Sequence, residues 1–130
     1  MNRFLFNGRL LAAGTAIAGA SNRGLRYGDG LFETIRCRNG EPLLADAHFA
    51  RLWKGLDVLG FVCPAHFTPA LLMSEIERLL AANQHTGLAR VRLQVFRGEG
   101  GLYDPVNHTP QYFIESWELE AHSTGFNSNG

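Results

Sequence analysis

Residues 31–60 read LFETIRCRNGEPLLADAHFARLWKGLDVLG, and within them the spacing of apolar residues changes from two to between three and four. Leu31, Glu33, Ile35 and Cys37 point one way along an extended chain while Phe32, Thr34, Arg36 and Arg38 point the other, which marks a strand with two different faces. Asn39-Gly40 follows. It suits a type I′ hairpin turn, whose central residues both need positive φ, so the chain is expected to return as a second strand over Glu41 to Leu44. Asp46 is placed as the N-cap of a helix from Ala47 to about Leu59, with Phe49, Leu52, Trp53, Leu56 and Leu59 as its buried stripe and Gly60 at its end.

The flanks repeat these signals. Phe4-Leu5-Phe6 and Leu10-Leu11 enclose Asn7-Gly8, another hairpin, and a stretch of small residues from Ala12 to Ser21 leads to the quoted strand. Thr68-Pro69 opens a second amphipathic helix, with Leu72, Ile76, Leu79 and Leu80 inward, that closes before Gly87. Leu88 to Arg97 returns to alternation, with Val91, Leu93 and Val95 against Arg90, Arg92 and Gln94, and the aromatic-rich Gln111 to Leu119 reads as a last strand. Strands, then helices, then strands without βαβ alternation give an α+β fold: a mostly antiparallel sheet with two helices on one face. Residues 1–121 form this domain, and the small polar residues of 122–130 read as the start of an interdomain linker.

With 130 residues the chain fits one domain that needs no metal or disulfide staple. Twelve basic and twelve acidic residues cancel, so bulk charge recommends neither a nucleic-acid nor a membrane partner. Eleven of the twelve basic residues are arginine and only Lys54 is lysine; both a genome's arginine habit and the handling of anions account for this. Cys37 and Cys63 have no metal-ligand or disulfide-framework spacing and read as reduced thiols, and no signal segment is recognised, so a cytoplasmic location is expected.

Gly24, Gly28 and Gly30 precede a strand rather than open a helix, so they are not a dinucleotide fingerprint; Gly98, Gly100 and Gly101 lead into a turn. The five histidines match no metal spacing, and His48 reads as a helix-start residue. Arg51 lies at the border of the buried stripe, where a snorkelling or ion-paired side chain and a ligand-binding one are both open readings. Arg36, Arg90, Arg92 and Arg97 share strands with apolar residues, giving either a solvated outer face or one lined with guanidinium.

Arg26-Tyr27-Gly28-Asp29-Gly30-Leu31-Phe32-Glu33-Thr34-Ile35-Arg36, Asn39-Gly40, His48-Phe49-Ala50-Arg51-Leu52 and Ala89-Arg90-Val91-Arg92 running into Phe96-Arg97-Gly98 together resemble the N-terminal domain of class IV pyridoxal-phosphate-dependent aminotransferases. That family includes branched-chain and D-amino-acid aminotransferases and aminodeoxychorismate lyase. The resemblance runs over residues 4 to 120 and implies that Arg51 binds the 5′-phosphate of pyridoxal phosphate, a pairing with good chemical reason. It places Tyr27 and Phe32 in the substrate pocket, Tyr27 reaching into a neighbouring subunit's site, and Arg36 on the pocket side. Arg92 falls where branched-chain enzymes bind a substrate carboxylate, and Arg97 where D-amino-acid enzymes place their arginine.

Phe32 replaces a tyrosine of the D-specific enzymes and Leu102 an arginine of the lyases, which turns the expectation toward the branched-chain L-amino-acid type. The resemblance also implies an amino-acid or 2-oxo-acid substrate and a homodimer. The family's cofactor-bearing lysine lies beyond the point where this chain stops, and Lys54 is expected at the surface, so no catalytic residue and no activity are expected of the chain alone. The linker-like tail then fits a polypeptide cut at the domain junction. Aminodeoxychorismate lyase is the alternative within the family, and an association module using its uncovered sheet face is the alternative outside it.

Overall fold

The computed structural model describes residues 3–14, 30–98 and 107–119. Gly24, Tyr27, Gly28, Leu102 and the tail from His122 lie outside the described residues. The strands are β1 (Arg3–Phe6), β2 (Arg9–Ala12), β3 (Gly30–Arg38), β4 (Glu41–Pro42), β5 (Leu88–Gly98) and β6 (Asn107–Glu118); the helices are α1 (Ala45–Val58) and α2 (Pro69–Ala82). Every strand pair is antiparallel, in the order β2-β1-β6-β5-β3-β4, so the expected α+β architecture is the one observed.

Both hairpin turns are set by their residues. Asn7 and Gly8 have φ of 49° and 87°, Asn39 and Gly40 of 54° and 78°, the left-handed pairs that a type I′ turn requires. The second hairpin is shorter than expected, because β4 ends at Pro42 and only Leu43 continues it, donating from its backbone N–H to the Arg36 carbonyl.

The start of α1 is also a correction. Asp46 does not cap it: Leu44 is the N-cap, left-handed at φ 57°, with no side-chain hydrogen bond, and Asp46 lies inside the first turn. The chain turns into the helix as soon as it leaves β4, and Asp46 there meets the positive end of the helix dipole instead. Gly60, at φ 78°, follows the helix end as expected. The start of α2 follows the sequence, Thr68 Oγ1 accepting from the Leu71 N–H at 3.1 Å.

Alternation along β3, β5 and β6 sorts the sheet into two faces. Ile35, Cys37, Val91, Leu93, Val95 and Ile114 are fully buried on the face that carries both helices, against Phe49, Leu52 and Leu56 of α1 and Leu72, Ile76, Leu79 and Leu80 of α2. Trp53 and Leu59 only flank this core. Polar groups drawn into it are paired. Glu75 accepts from the Tyr112 hydroxyl and from Arg78, and the Ser116 hydroxyl meets Asn83 and His85.

On the opposite face Phe6 stacks on Phe96, which also meets Phe113, and Phe32, Thr34, Arg36 and Arg38 of β3 are exposed. Burial pushes the Cys37 thiol up to about 12, and both cysteines are free, as expected for reduced thiols.

Candidate functional site

β3 pairs with β5 along its whole length, yet with β4 only at Cys37 and Arg38. From Leu31 to Ile35 its other edge therefore carries no strand among the described residues. An open pocket of about 550 Å³ lies there, lined by Leu31, Phe32, Glu33 and Thr34 of β3 and by Arg51, Leu52 and Gly55 of α1. That volume is in the range of small-molecule sites.

α1 comes close to β3 at Gly55, where a Cβ would sit 2.7 Å from Leu31 Cδ1, the movable tip of that side chain. One helical turn before Gly55, Arg51 reaches the pocket from the helix side. Its side chain is 69% exposed, and it donates from Nε to Glu33 Oε2 at 2.9 Å and from Nη2 to Glu33 Oε1 at 2.8 Å. His48 Nδ1 lies 2.7 Å from the same Oε1. Glu33 itself is buried at 7% exposure, and its carboxyl is held below its ordinary value, first by the Arg51 hydrogen bonds and then by His48, against an upward push from burial.

Phe32 enters the same pocket from the opposite face of β3, and the Arg92 guanidinium stacks 4.3 Å from its ring centre. Arg36 is exposed two residues further along this face, opposite Arg90 on β5. The structure thus brings Arg51 and Phe32 into one pocket, with Arg92 behind Phe32. Arg97 is separated from them. Its odd position on β5 turns it to the helix side, where it is 7% exposed, donates to the Leu59 carbonyl and stacks over Phe61. Arg97, expected among the substrate-binding residues, thus stands on the helix side of the sheet, on the face opposite to Phe32, as strand alternation dictates.

Sequence reading missed the joint work of Glu33 and His48. The signal was present: a carboxylate on the buried face of a strand needs a partner, and His48 and Arg51, three apart on a helix, offer donors on one side of it. Among the described residues no group of three or more His, Cys, Asp or Glu is arranged to hold a metal, and no helix is long and apolar enough to cross a membrane.

The family model described as amino-transferase class IV matches residues 30–125. D-alanine aminotransferase from Bacillus licheniformis is 36% identical over 101 residues, covering 78% of this chain and 31% of that protein. Aminodeoxychorismate lyase from Bacillus subtilis is 36% identical over 93 residues, covering 71% and 31%. Among solved structures, the branched-chain amino acid aminotransferase from Escherichia coli superposes with a TM-score of 0.77 at 22% identity, covering 91% of this chain and 41% of that one. A hypothetical aminotransferase from Mycobacterium tuberculosis, in its PLP-bound form, gives 0.70 at 23%, covering 95% and 42%.

These structural likenesses are of fold. The chain spans about a third of the length of the curated relatives it matches. The family model covers residues 30–125, the identity to the curated relatives agrees with it, and the chain belongs to the class IV aminotransferase family.

Proposed function

We propose that this chain supplies the cofactor-phosphate arginine and part of the substrate pocket of a pyridoxal-phosphate-dependent amino-acid aminotransferase of the branched-chain L-amino-acid type. The observation that supports this most is the convergence of Arg51 and Phe32, from opposite faces of the free edge of β3, on one pocket. The donor set suits a phosphate monoester: an open guanidinium whose buried partner, Glu33, leaves its tip toward solvent. Arg51 would hold the 5′-phosphate on the helix side of the edge, with the amino acid on the other side.

There Phe32 gives an apolar wall, and Arg92 and Arg36 offer guanidinium to a substrate carboxylate. Arg97 serves this reading as a brace between β5 and the end of α1. When bound, pyridoxal phosphate supplies the carbonyl and electron-withdrawing ring that amino-group transfer uses.

Among the described residues, no lysine lines this pocket. Lys54 is exposed and does not line it, so the chain alone is expected to be inactive, with the reacting amine supplied by a further domain of a homodimeric cytoplasmic enzyme. The identity to D-alanine aminotransferase favours a second reading, in which the substrate has the opposite configuration, and the identity to aminodeoxychorismate lyase favours a third. The place of Arg92 on the Phe32 face, with Arg97 turned away, supports the first. Protein expressed in full from its own gene is expected to transaminate L-leucine with 2-oxoglutarate. Turnover of D-alanine alone, or pyruvate release from aminodeoxychorismate, would decide for the second or the third.

A further inference from the structure

We infer that Glu33 is the positioning residue for Arg51: it takes one edge of the guanidinium and so leaves the other presented to a phosphate. The inference rests on the phosphate role proposed for Arg51. Glu33 stands on the face of β3 whose neighbours Ile35 and Cys37 are fully buried, where an ionised carboxylate needs partners. It accepts from Arg51 Nε, Arg51 Nη2 and His48 Nδ1. An ionised carboxylate only accepts, so His48 carries a proton on Nδ1 in this contact. That nitrogen has then no lone pair for Arg51 Nη2, 3.4 Å away, and the guanidinium is left with Glu33 as its partner here.

Contacts to both carboxylate oxygens fix the plane of a rigid fork. What remains is the end of the fork, Nη1 and the outer hydrogen of Nη2, on a side chain 69% exposed beside a partner 8% exposed. Glu33 therefore binds the guanidinium from the side, and a phosphate would meet it end-on.

Charge and orientation pull in opposite directions. The Glu33 carboxylate weakens the attraction of Arg51 for an anion, so its removal by Glu33→Gln favours phosphate if charge decides. The same substitution frees a long side chain to sample its rotamers and turns an amide N–H₂ toward the guanidinium donors, so phosphate is lost if orientation decides. At an exposed tip, water and salt screen the charge contribution. Orientation prevails.

The test is a titration of the full chain with inorganic phosphate, read from the nitrogen-15 resonances of the Arg51 side chain. In the native chain the Nη signals are expected to shift while the Nε–H signal stays, because the Glu33 edge is kept. Glu33→Gln, and Glu33→Asp, which keeps the charge but shortens the reach, are each expected to weaken phosphate binding by about tenfold or more. Equal or tighter binding in Glu33→Gln, or native-like binding in Glu33→Asp, would overturn the positioning role and leave the phosphate role of Arg51 standing. So would a native titration in which Nε–H moves together with Nη, a result that depends on no variant folding. Nη signals that ignore phosphate altogether would remove the phosphate role itself, and this inference with it.

Discussion

Glu33 decides the behaviour of the site because it is a buried carboxylate whose partners reach it from a helix it shares no sequence with. Its carboxyl is held below its ordinary value in the folded chain, so its contribution to stability is present above the ordinary carboxylate range and is lost as pH falls through the folded value. Acid unfolding should show this directly: Glu33→Gln is expected to flatten the acid limb of the stability profile and to cost about 1–3 kcal/mol at neutral pH. An unchanged acid limb would mean that the carboxylate is not paired in solution. Tyr112, whose hydroxyl donates to the buried Glu75, is expected to behave similarly when replaced; Tyr112→Phe should lower stability by about 1–2 kcal/mol in denaturant titration. At this scale the sequence was partly legible. Arg51 and Phe32 could be singled out, and the alternation of β5 by itself turns Arg97 inward, but the Glu33 partnership does not show until strand alternation is combined with the register of a helix packed across it.

At the level of elements, turn chemistry was the most legible feature, because Asn-Gly constrains φ by itself and needs no tertiary partner. The start of α1 was not legible, since it depends on where β4 lets the chain go. Leu44 pays for that placement with a left-handed backbone and an exposed side chain. Leu44→Gly is therefore expected to raise stability by about 1 kcal/mol in thermal unfolding, against the usual loss from glycine in a helix interior. Gly30 shows the reverse case. A Cβ there would be driven into the Val95 carbonyl on β5 and to 3.0 Å from Phe96 Cα, and neither backbone atom can yield as a side-chain tip would. Gly30→Ala is expected to destabilise by about 1–3 kcal/mol through forced separation of β3 from β5, and a neutral effect would contradict the pairing.

For the whole molecule, alternation in the strands and the three-four spacing in the helices were enough to fix an α+β sheet with its helices on one face, since both patterns report the same core. What spacing could not supply is that, among the described residues, β3 carries no strand on this edge from Leu31 to Ile35, where the pocket lies. On the function proposed, that edge would let a phosphate on one side and an amino acid on the other belong to one site. The separation of roles is open to direct measurement. Binding of pyridoxal 5′-phosphate and of pyridoxal is to be compared by calorimetry in the native protein and in Arg51→Gln. The native protein is expected to prefer the phosphorylated ligand by about tenfold or more, and Arg51→Gln to bind the two ligands alike. A phosphate preference that survives Arg51→Gln would contradict the assignment of this arginine, and with it the function proposed for the chain.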